Sequence, residues 1–462
     1  GAAASSSAPA PTGGGAVSQW EALNSKLQAA GSSPEARKAA EKELLGVLQR
    51  LEPRRCAEIV ERVHGMEHMR SNELLDAIAR TTAPVIPRFG SPDLTRLTVT
   101  LERWALEAAA GSDEKTLRLS EELRAYFNAI STEVSLRLMD VGPGDLARIS
   151  LSLASLGLAG ARLFASVARA AVARSDRFAP NELVSLVLAF DKARFFQTSL
   201  FEALARCLRT NIKDVAPKDV IEGMRLLATC GISDKELGQA IGENLPRRAT
   251  AMPAEDFCSL AWNFCALGLH HDRLFRAVFQ ALEDAASVGG ESLCQLYEVH
   301  LVLDSEHKKE YAKYRMEAEA IQSLLEHYKE NRKDCRRCAE RHRSDIVSAL
   351  KSLVEGIVHA NHRTSTGLLV DVAACRKKSS ADGYIHIDID SALTVVRPLD
   401  QEDPAHASLV LDGSVAIRRR ILQKHDLRLV TVREADWRGL GDSKEKRRHL
   451  RSLLASLGDV LE

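Results

Sequence analysis

The feature that most constrains this chain is a repeat of 37 residues. An acidic residue followed by an apolar one recurs at Asp145-Leu146, Glu182-Leu183, Asp219-Val220 and Asp256-Phe257, three successive intervals of 37. A second marker, Leu163-Phe164, Leu200-Phe201, Leu237-Gly238 and Leu274-Phe275, keeps the same period. A third is Gly157, Gly231 and Gly268, with Arg194 standing where the remaining glycine would fall. Prolines at 143, 180, 217 and 253 precede the acidic marker by two or three residues. Independent markers sharing one period of this length specify stacked structural repeats.

The physics of each unit follows from its punctuation. Proline followed by an acidic residue suits a helix start, where the first N–H groups lack partners and the helix dipole favours negative charge. About twelve residues later, glycine takes the left-handed conformation that ends a helix. The Leu-Phe pair then opens a second helix, from Leu163 to about Arg174 in the first repeat. Each unit is a helical hairpin, apolar on two sides, so it must stack on its neighbours as an α-solenoid. Weaker patterns at Glu73–Arg80 and Asp93–Leu106 read as irregular N-terminal repeats or a cap, and the 52 residues from Asp93 to Asp145 imply an insertion around Gly111–Leu119. Glu291–Leu303 reads as the first helix of a final, incomplete repeat.

Solenoids commonly bind along one helical face. Counting from the acidic marker, positions 3, 7 and 10 share a face by their i, i+4, i+7 spacing. They read Arg148, Ser152, Ser155; Ser185, Ala189, Lys192; Glu222, Leu226, Thr229; and Ser259, Asn263, Ala266. This face is mostly small or polar and varies between repeats, as a ligand-lining surface would; a solvated face is the alternative. Arg148, Lys192 and Asn263 are its candidate RNA contacts.

Composition narrows the partners. With 63 basic and 63 acidic residues the formal net charge is zero, which excludes a protein held on nucleic acid by uniform positive charge. Basic residues must be clustered if a polyanion binds. No run approaches the roughly 18 apolar residues of a membrane span. Nine scattered cysteines, several inside apolar helical patterns, read as reduced buried thiols. The opening GAAASSSAPAPTGGG cannot bury a core and is expected to be disordered; it suits either appended sequence or what remains once a targeting peptide is removed. The organisation expected is a disordered segment 1–16, irregular helical repeats over 17–142, regular repeats over 143–304, a charged helical connector over 305–345 and an α/β domain over 346–462.

In that connector, Lys329–Arg343 holds seven basic residues against three acidic ones, with Arg336 and Arg337 as candidate phosphate contacts. Cys335-x-x-Cys338 followed by His342 invites a zinc reading, but a second ligand pair is missing, His327 notwithstanding; no metal or cofactor is assigned.

After a helical segment at Ser348–Val358 the pattern turns to β. Leu368–Ala373, Tyr384–Asp390 and Leu427–Val432 read as strands, Gly413–Leu422 as a basic helix and Ser443–Leu461 as a final helix. Val370-Asp371-Val372-Ala373, Ile387-Asp388-Ile389-Asp390-Ser391, Gly413, Arg418-Arg419-Arg420-Ile421-Leu422 and Asp436-Trp437 follow in an order that resembles the RAP domain of organellar RNA-associated proteins. Such proteins place heptatricopeptide- or octotricopeptide-like hairpins before that domain, in agreement with the 37-residue repeat. The resemblance implies a mainly α protein, an α-solenoid followed by a small restriction-endonuclease-like α/β domain. It implies a mitochondrial matrix location, with the plastid as alternative.

In nuclease relatives of that fold, two acids and a lysine position a metal and water. Asp371 and Asp388 stand at the acidic positions, but Asp390 stands where the lysine would, and Leu399–Pro404 is acidic. The domain is therefore expected to be non-catalytic. It offers charge instead: Ile417–Arg451 carries twelve basic and five acidic residues, among them Arg418, Arg419, Arg420, Lys424, Lys444, Lys446, Arg447 and Arg448 as candidate RNA contacts. Arg418–Arg420 span most of a helical turn, so they are expected not to be buried together. Trp437 is expected in the core. The function expected is an organellar RNA-binding protein, a mitochondrial ribosomal component touching rRNA and neighbouring subunits. The alternatives are a transcript-specific stability, processing or translation factor, a metal-dependent nuclease, and a protein-only scaffold.

Overall fold

The computed structural model describes residues 14–110, 118–283, 288–333, 340–376, 384–391, 394–399, 410–425 and 427–455. The chain divides into two compact units, Gly1–Ala193 and Arg194–Glu462. The disordered leader expected at 1–16 lies almost wholly outside the described residues, as do most of the insertion around Gly111–Leu119, the cysteine pair Cys335 and Cys338, Arg336, Arg337 and the acidic loop after Leu399.

The first unit is helical: α1 (Gly14–Ala29), α2 (Pro34–Leu48), α3 (Pro53–His64), α4 (Asn72–Thr82), α5 (Ser91–Ala110), α6 (Glu121–Leu136), α7 (Pro143–Ser155), α8 (Ala161–Val172) and α9 (Pro180–Lys192). First helices stack in a row, α3 on α5, α5 on α7 and α7 on α9, while α4, α6 and α8 form the row behind them. α7 and α9 begin with proline 37 residues apart, and Glu182 accepts the Ala179 N–H at 2.9 Å, satisfying a donor the helix leaves open. Gly157 ends α7 at φ +69°, with the Leu158 N–H returning 2.8 Å to the Leu153 carbonyl. Leu146, Ile149, Leu153, Phe164 and Phe190 fill the interior.

The second unit opens with β1 (Phe195–Phe196) and α10 (Thr198–Thr210). The same hairpin pattern then runs through α11 (Pro217–Thr229), α12 (Lys235–Asn244), α13 (Ala254–Ala266), α14 (Asp272–Glu283) and α15 (Gly290–Glu306). Gly231 and Gly268 end α11 and α13 at φ +68° and +65°, as the period requires. The charged stretch that follows is not one continuous helix. It forms α16 (Lys308–Tyr311) and α17 (Ala318–Asn331), whose Leu324 and Tyr328 pack α17 on α15, and then α18 (Glu340–Lys351).

The C-terminal region builds β2 (Gly356–Arg363), β3 (Leu369–Arg376), β4 (Ile385–Asp390), β5 (Val395–Pro398), β6 (Val410–Leu411), α19 (Gly413–Lys424), β7 (Arg428–Arg433), α20 (Glu434–Gly439) and α21 (Ser443–Ala455). The main sheet has the order β2-β3-β4-β7, with only the β4–β7 pair parallel. Sequence alone carries helix to Val358, but it ends at Lys351. Ile357 and Val358 instead pair with Cys375 and Ala374 of β3, which fits their branched side chains. Strand alternation places Val372, Ile385, Ile387, Ile389, Val430 and Val432 on one face. There they meet Ile346 and Leu350 of α18, Trp437, and Leu450 and Leu454 of α21 in one core. Trp437 is buried as expected, its Nε1 donating to Asp345 at 3.0 Å. A smaller sheet, β1-β5-β6, joins the start of this unit to its C-terminal region.

Candidate nucleic-acid interface

The acidic positions singled out in the sequence lie within a cluster of arginines. Asp371 is fully buried, and its Oδ2 accepts the Ile389 N–H at 2.9 Å while Arg343 stands 3.8 Å from its Oδ1. Asp388 is also buried; Arg418 ion-pairs with it and Arg419 Nε donates to it at 3.2 Å. Arg419 reaches on to Asp390 at 2.5 Å. Among the described residues, no group of acidic, histidine or cysteine side chains has the geometry of a metal site. Two buried carboxylates need positive charge beside them; α18 brings Arg343 to Asp371, and α19 brings Arg418 and Arg419 to Asp388.

Of these three arginines only Arg418 is buried, and all three are engaged inside the protein. Their side chains are 7%, 11% and 28% exposed. Arg418 Nη1 donates to the Leu369 carbonyl at 2.9 Å, so it bridges β3 and β4. Arg420 turns the other way, to Glu306 at 2.8 Å and to the carbonyls of Cys265 and Ala266. Those carbonyls end α13, where the helix has no internal donors left and its dipole favours a cation. α19 touches α11, α13 and α15 on one side and β7 on the other. All three guanidiniums find partners because α19 is packed between these helices and the sheet.

Arg194 completes this joint. It takes the repeat position where glycine stands elsewhere, and it adopts the same left-handed backbone at φ +56°. Its carbonyl accepts the Arg397 N–H at 3.0 Å, its Nη2 donates to the Val395 carbonyl at 2.8 Å, and its Nη1 pairs with Asp412 at 2.8 Å. Asp412 caps the N-terminus of α19, accepting the Ser414 N–H at 3.0 Å. Gly413 leaves no room for a side chain, since a Cβ there would meet the Ala228 carbonyl at the end of α11. The break in the glycine series was the sequence signal for this contact; its meaning needed the fold.

The repeat face is also redrawn. Position 7 does not face solvent: Ser152, Ala189, Leu226 and Asn263 are all buried. Ser152 donates to Glu102 of α5 at 3.2 Å, and Asn263 Nδ2 reaches the Ile221 carbonyl of α11 at 3.4 Å. These side chains pack between neighbouring first helices, so Asn263 is a packing residue. The partly open stripe instead runs through positions 3, 6 and 10. In the first unit it carries Arg148, Leu151, Ser155, Ser185, Leu188 and Lys192; in the second, Glu222, Arg225, Thr229, Ser259, Trp262 and Ala266. Arg148 is 64% exposed, 3.6 Å from Asp145, and Lys192 is exposed at the end of α9.

No sequence signal singled out Trp262. Its Nε1 donates to Glu298 at 2.6 Å, and Tyr328 donates to the other oxygen at 3.0 Å. Burial pushes the Glu298 carboxyl above its usual range, against the pull of these bonds. Burial also pushes the Cys56 and Cys258 thiols up to about 12. His342, the candidate zinc ligand, sits 2.6 Å from Glu434.

Of the candidate C-terminal contacts, those left facing outward lie on α21 and at the end of α19. Lys424, Lys444, Arg448 and Arg451 are exposed and Arg447 partly so, with no ion-pair partner among the described residues. Lys446 differs: it pairs with Asp345 at 2.6 Å and lies 5.5 Å over the Trp437 ring. Burial opposes ionisation of Asp345, but the bonds from Lys446 and Trp437 outweigh it and hold that carboxyl below its usual range.

Residues 108–284, which span the regular repeats, match the family model for the RNA-editing substrate-binding complex 6 protein. No curated protein matches the chain. No helix among the described residues is long and apolar enough to cross a membrane.

Proposed function

We propose that this chain is an organellar RNA-associated protein, located in mitochondria, that works as a subunit of a complex handling particular transcripts. The observation that carries this reading is the family-model match over 108–284, because it covers the repeats whose stacking the sequence pattern specifies. The family's name concerns a complex that binds RNA substrates, so a transcript-directed role is carried forward in place of ribosomal residence. The α21 cations and Lys424 are the phosphate-facing set, joined on the repeats by Arg148 and Lys192.

The C-terminal α/β region, read as a RAP domain on its sequence order, acts without catalysis in this proposal. Support comes from Asp371, Asp388 and Asp390, whose carboxylates are engaged by Arg343, Arg418 and Arg419 rather than open to a metal and water. The deciding experiment is crosslinking in cells followed by sequencing of attached RNA, with sedimentation of the native protein alongside. Recovery of a restricted set of transcripts away from ribosomal subunits is expected. Comigration with a ribosomal subunit and crosslinks confined to rRNA would refute the transcript reading. Magnesium-dependent RNA cleavage abolished by Asp388→Ala would refute the non-catalytic one.

A further inference from the structure

Away from the joint made by α19, the C-terminal sheet gathers four rings: His359 and His362 of β2, Tyr384 just before β4 and His386 within it. The His362 and Tyr384 rings lie 4.7 Å apart at 26°, and the His359 and His362 rings 5.7 Å apart at 27°, both stacked. His386 approaches His362 at 5.7 Å. Residues 359 and 362 would point to opposite faces of a regular strand. They meet because Asn361 between them takes the left-handed conformation at φ +50°.

A non-glycine residue held there is costly, and such outliers gather at binding sites. The surroundings fit a ligand with a flat apolar face. Ile357, on the same strand, is 53% exposed, an unusual position for a large aliphatic side chain. His386, 3% exposed, backs the cluster, its Nδ1 without a hydrogen-bond partner among the described residues. Burial, then the neighbouring imidazoles, lowers the His362 pKa to about 4, so its ring is neutral at physiological pH and can stack as an aromatic.

We infer that His362 and Tyr384, flanked by His359 and Ile357, form a stacking platform for a nucleobase of single-stranded RNA. Stacking on Tyr or His rings is a recurrent way of holding unpaired RNA bases. A peptide strand adding to the β2 edge is the competing occupant, and the left-handed Asn361 interrupts the backbone ladder such a strand would need. The inference rests on the RNA-associated reading above.

The test uses the full chain and two labelled probes, an oligouridine and an abasic ribose-phosphate oligomer of the same length, measured by fluorescence anisotropy. His362→Ala and Tyr384→Ala should each weaken oligouridine binding about tenfold, the contribution of one stacked base, and leave abasic binding unchanged. His362→Phe and Tyr384→Phe should keep wild-type affinity. Ultraviolet crosslinking of wild-type protein to oligouridine should tag the peptide carrying His362 or Tyr384, which serves if an alanine variant does not fold. Equal loss on both probes, unchanged oligouridine affinity, or crosslinks confined to other peptides would overturn the platform. So would protection of the β2 amides by a peptide with RNA affinity unaffected. Absence of any wild-type RNA binding would overturn the RNA-associated reading together with the platform, whereas binding indifferent to these substitutions would overturn the platform alone.

Discussion

Arg418→Met separates a structural arginine from an RNA-contacting one. Met keeps much of the aliphatic stem but removes the guanidinium that pairs with Asp388 and donates 2.9 Å to the Leu369 carbonyl. Asp388 is 1% exposed, so it cannot regain water in the folded protein. Removing one partner of a buried ion pair costs about 3–5 kcal/mol. Arg419 Nε, 3.2 Å from the same carboxylate, remains and moves the expected loss to the lower end, about 3 kcal/mol. Hydrogen exchange read by mass spectrometry gives this locally. Amides of β4 and β7 whose exchange requires opening of the sheet should exchange roughly 100-fold faster. Adding Asp388→Leu should recover much of the loss, because the uncompensated charge goes with it. At a temperature where the variant stays folded, RNA affinity should match wild type within about twofold, since the Arg418 guanidinium points into the protein and leaves the phosphate-facing charge intact. Unchanged exchange together with a steep drop in RNA affinity would refute the inward assignment of Arg418.

Three further outcomes follow from the same geometry. Arg194→Ala keeps the left-handed backbone but loses the Asp412 pair and the Val395 bond; with the pair discounted for its partial exposure, the loss is about 1.5 kcal/mol. Arg194→Gly also relieves about 1 kcal/mol of strain, so by urea unfolding it should fall between Ala and wild type; a glycine variant clearly more stable than wild type would contradict the clamp. Glu298, with its folded pKa raised by burial, favours the folded state below the ordinary carboxylate pKa, and that contribution is lost as pH rises through the raised value. Glu298→Gln should therefore gain stability over wild type at pH 8 but not at pH 4, measured by thermal unfolding at both. Replacing Lys444 and Arg448 with Gln should weaken RNA binding at low salt and reduce the slope of log affinity against log salt by about two, with folding unchanged; an unaltered slope would exclude α21 from the interface.

The repeat was readable because it is local physics written four times. Proline, acid and glycine act within one helical turn, so helix starts at 143, 180, 217 and 254 and left-handed ends at 157, 231 and 268 need no knowledge of distant chain. Strands β3, β4 and β7 were legible for the same reason, through alternation and branched residues, and so was the burial of Trp437, whereas the start of β2 was read as helix and β5 and β6 were not read. Sequence could also mark Arg194 as the break in the glycine series without saying why. What only the tertiary structure decided is which way a polar side chain points. Arg418–Arg420 look like a phosphate-binding turn until α19 is seen between the sheet and the ends of the repeat helices. Asn263 looks like a lining residue until the neighbouring helix is beside it, and His359 and His362 look opposed until Asn361 twists the strand. Charge and polarity are one-residue properties, but the partner that satisfies them can come from chain 218 residues away, as Asp412 does for Arg194. That pairing is settled only when the elements pack.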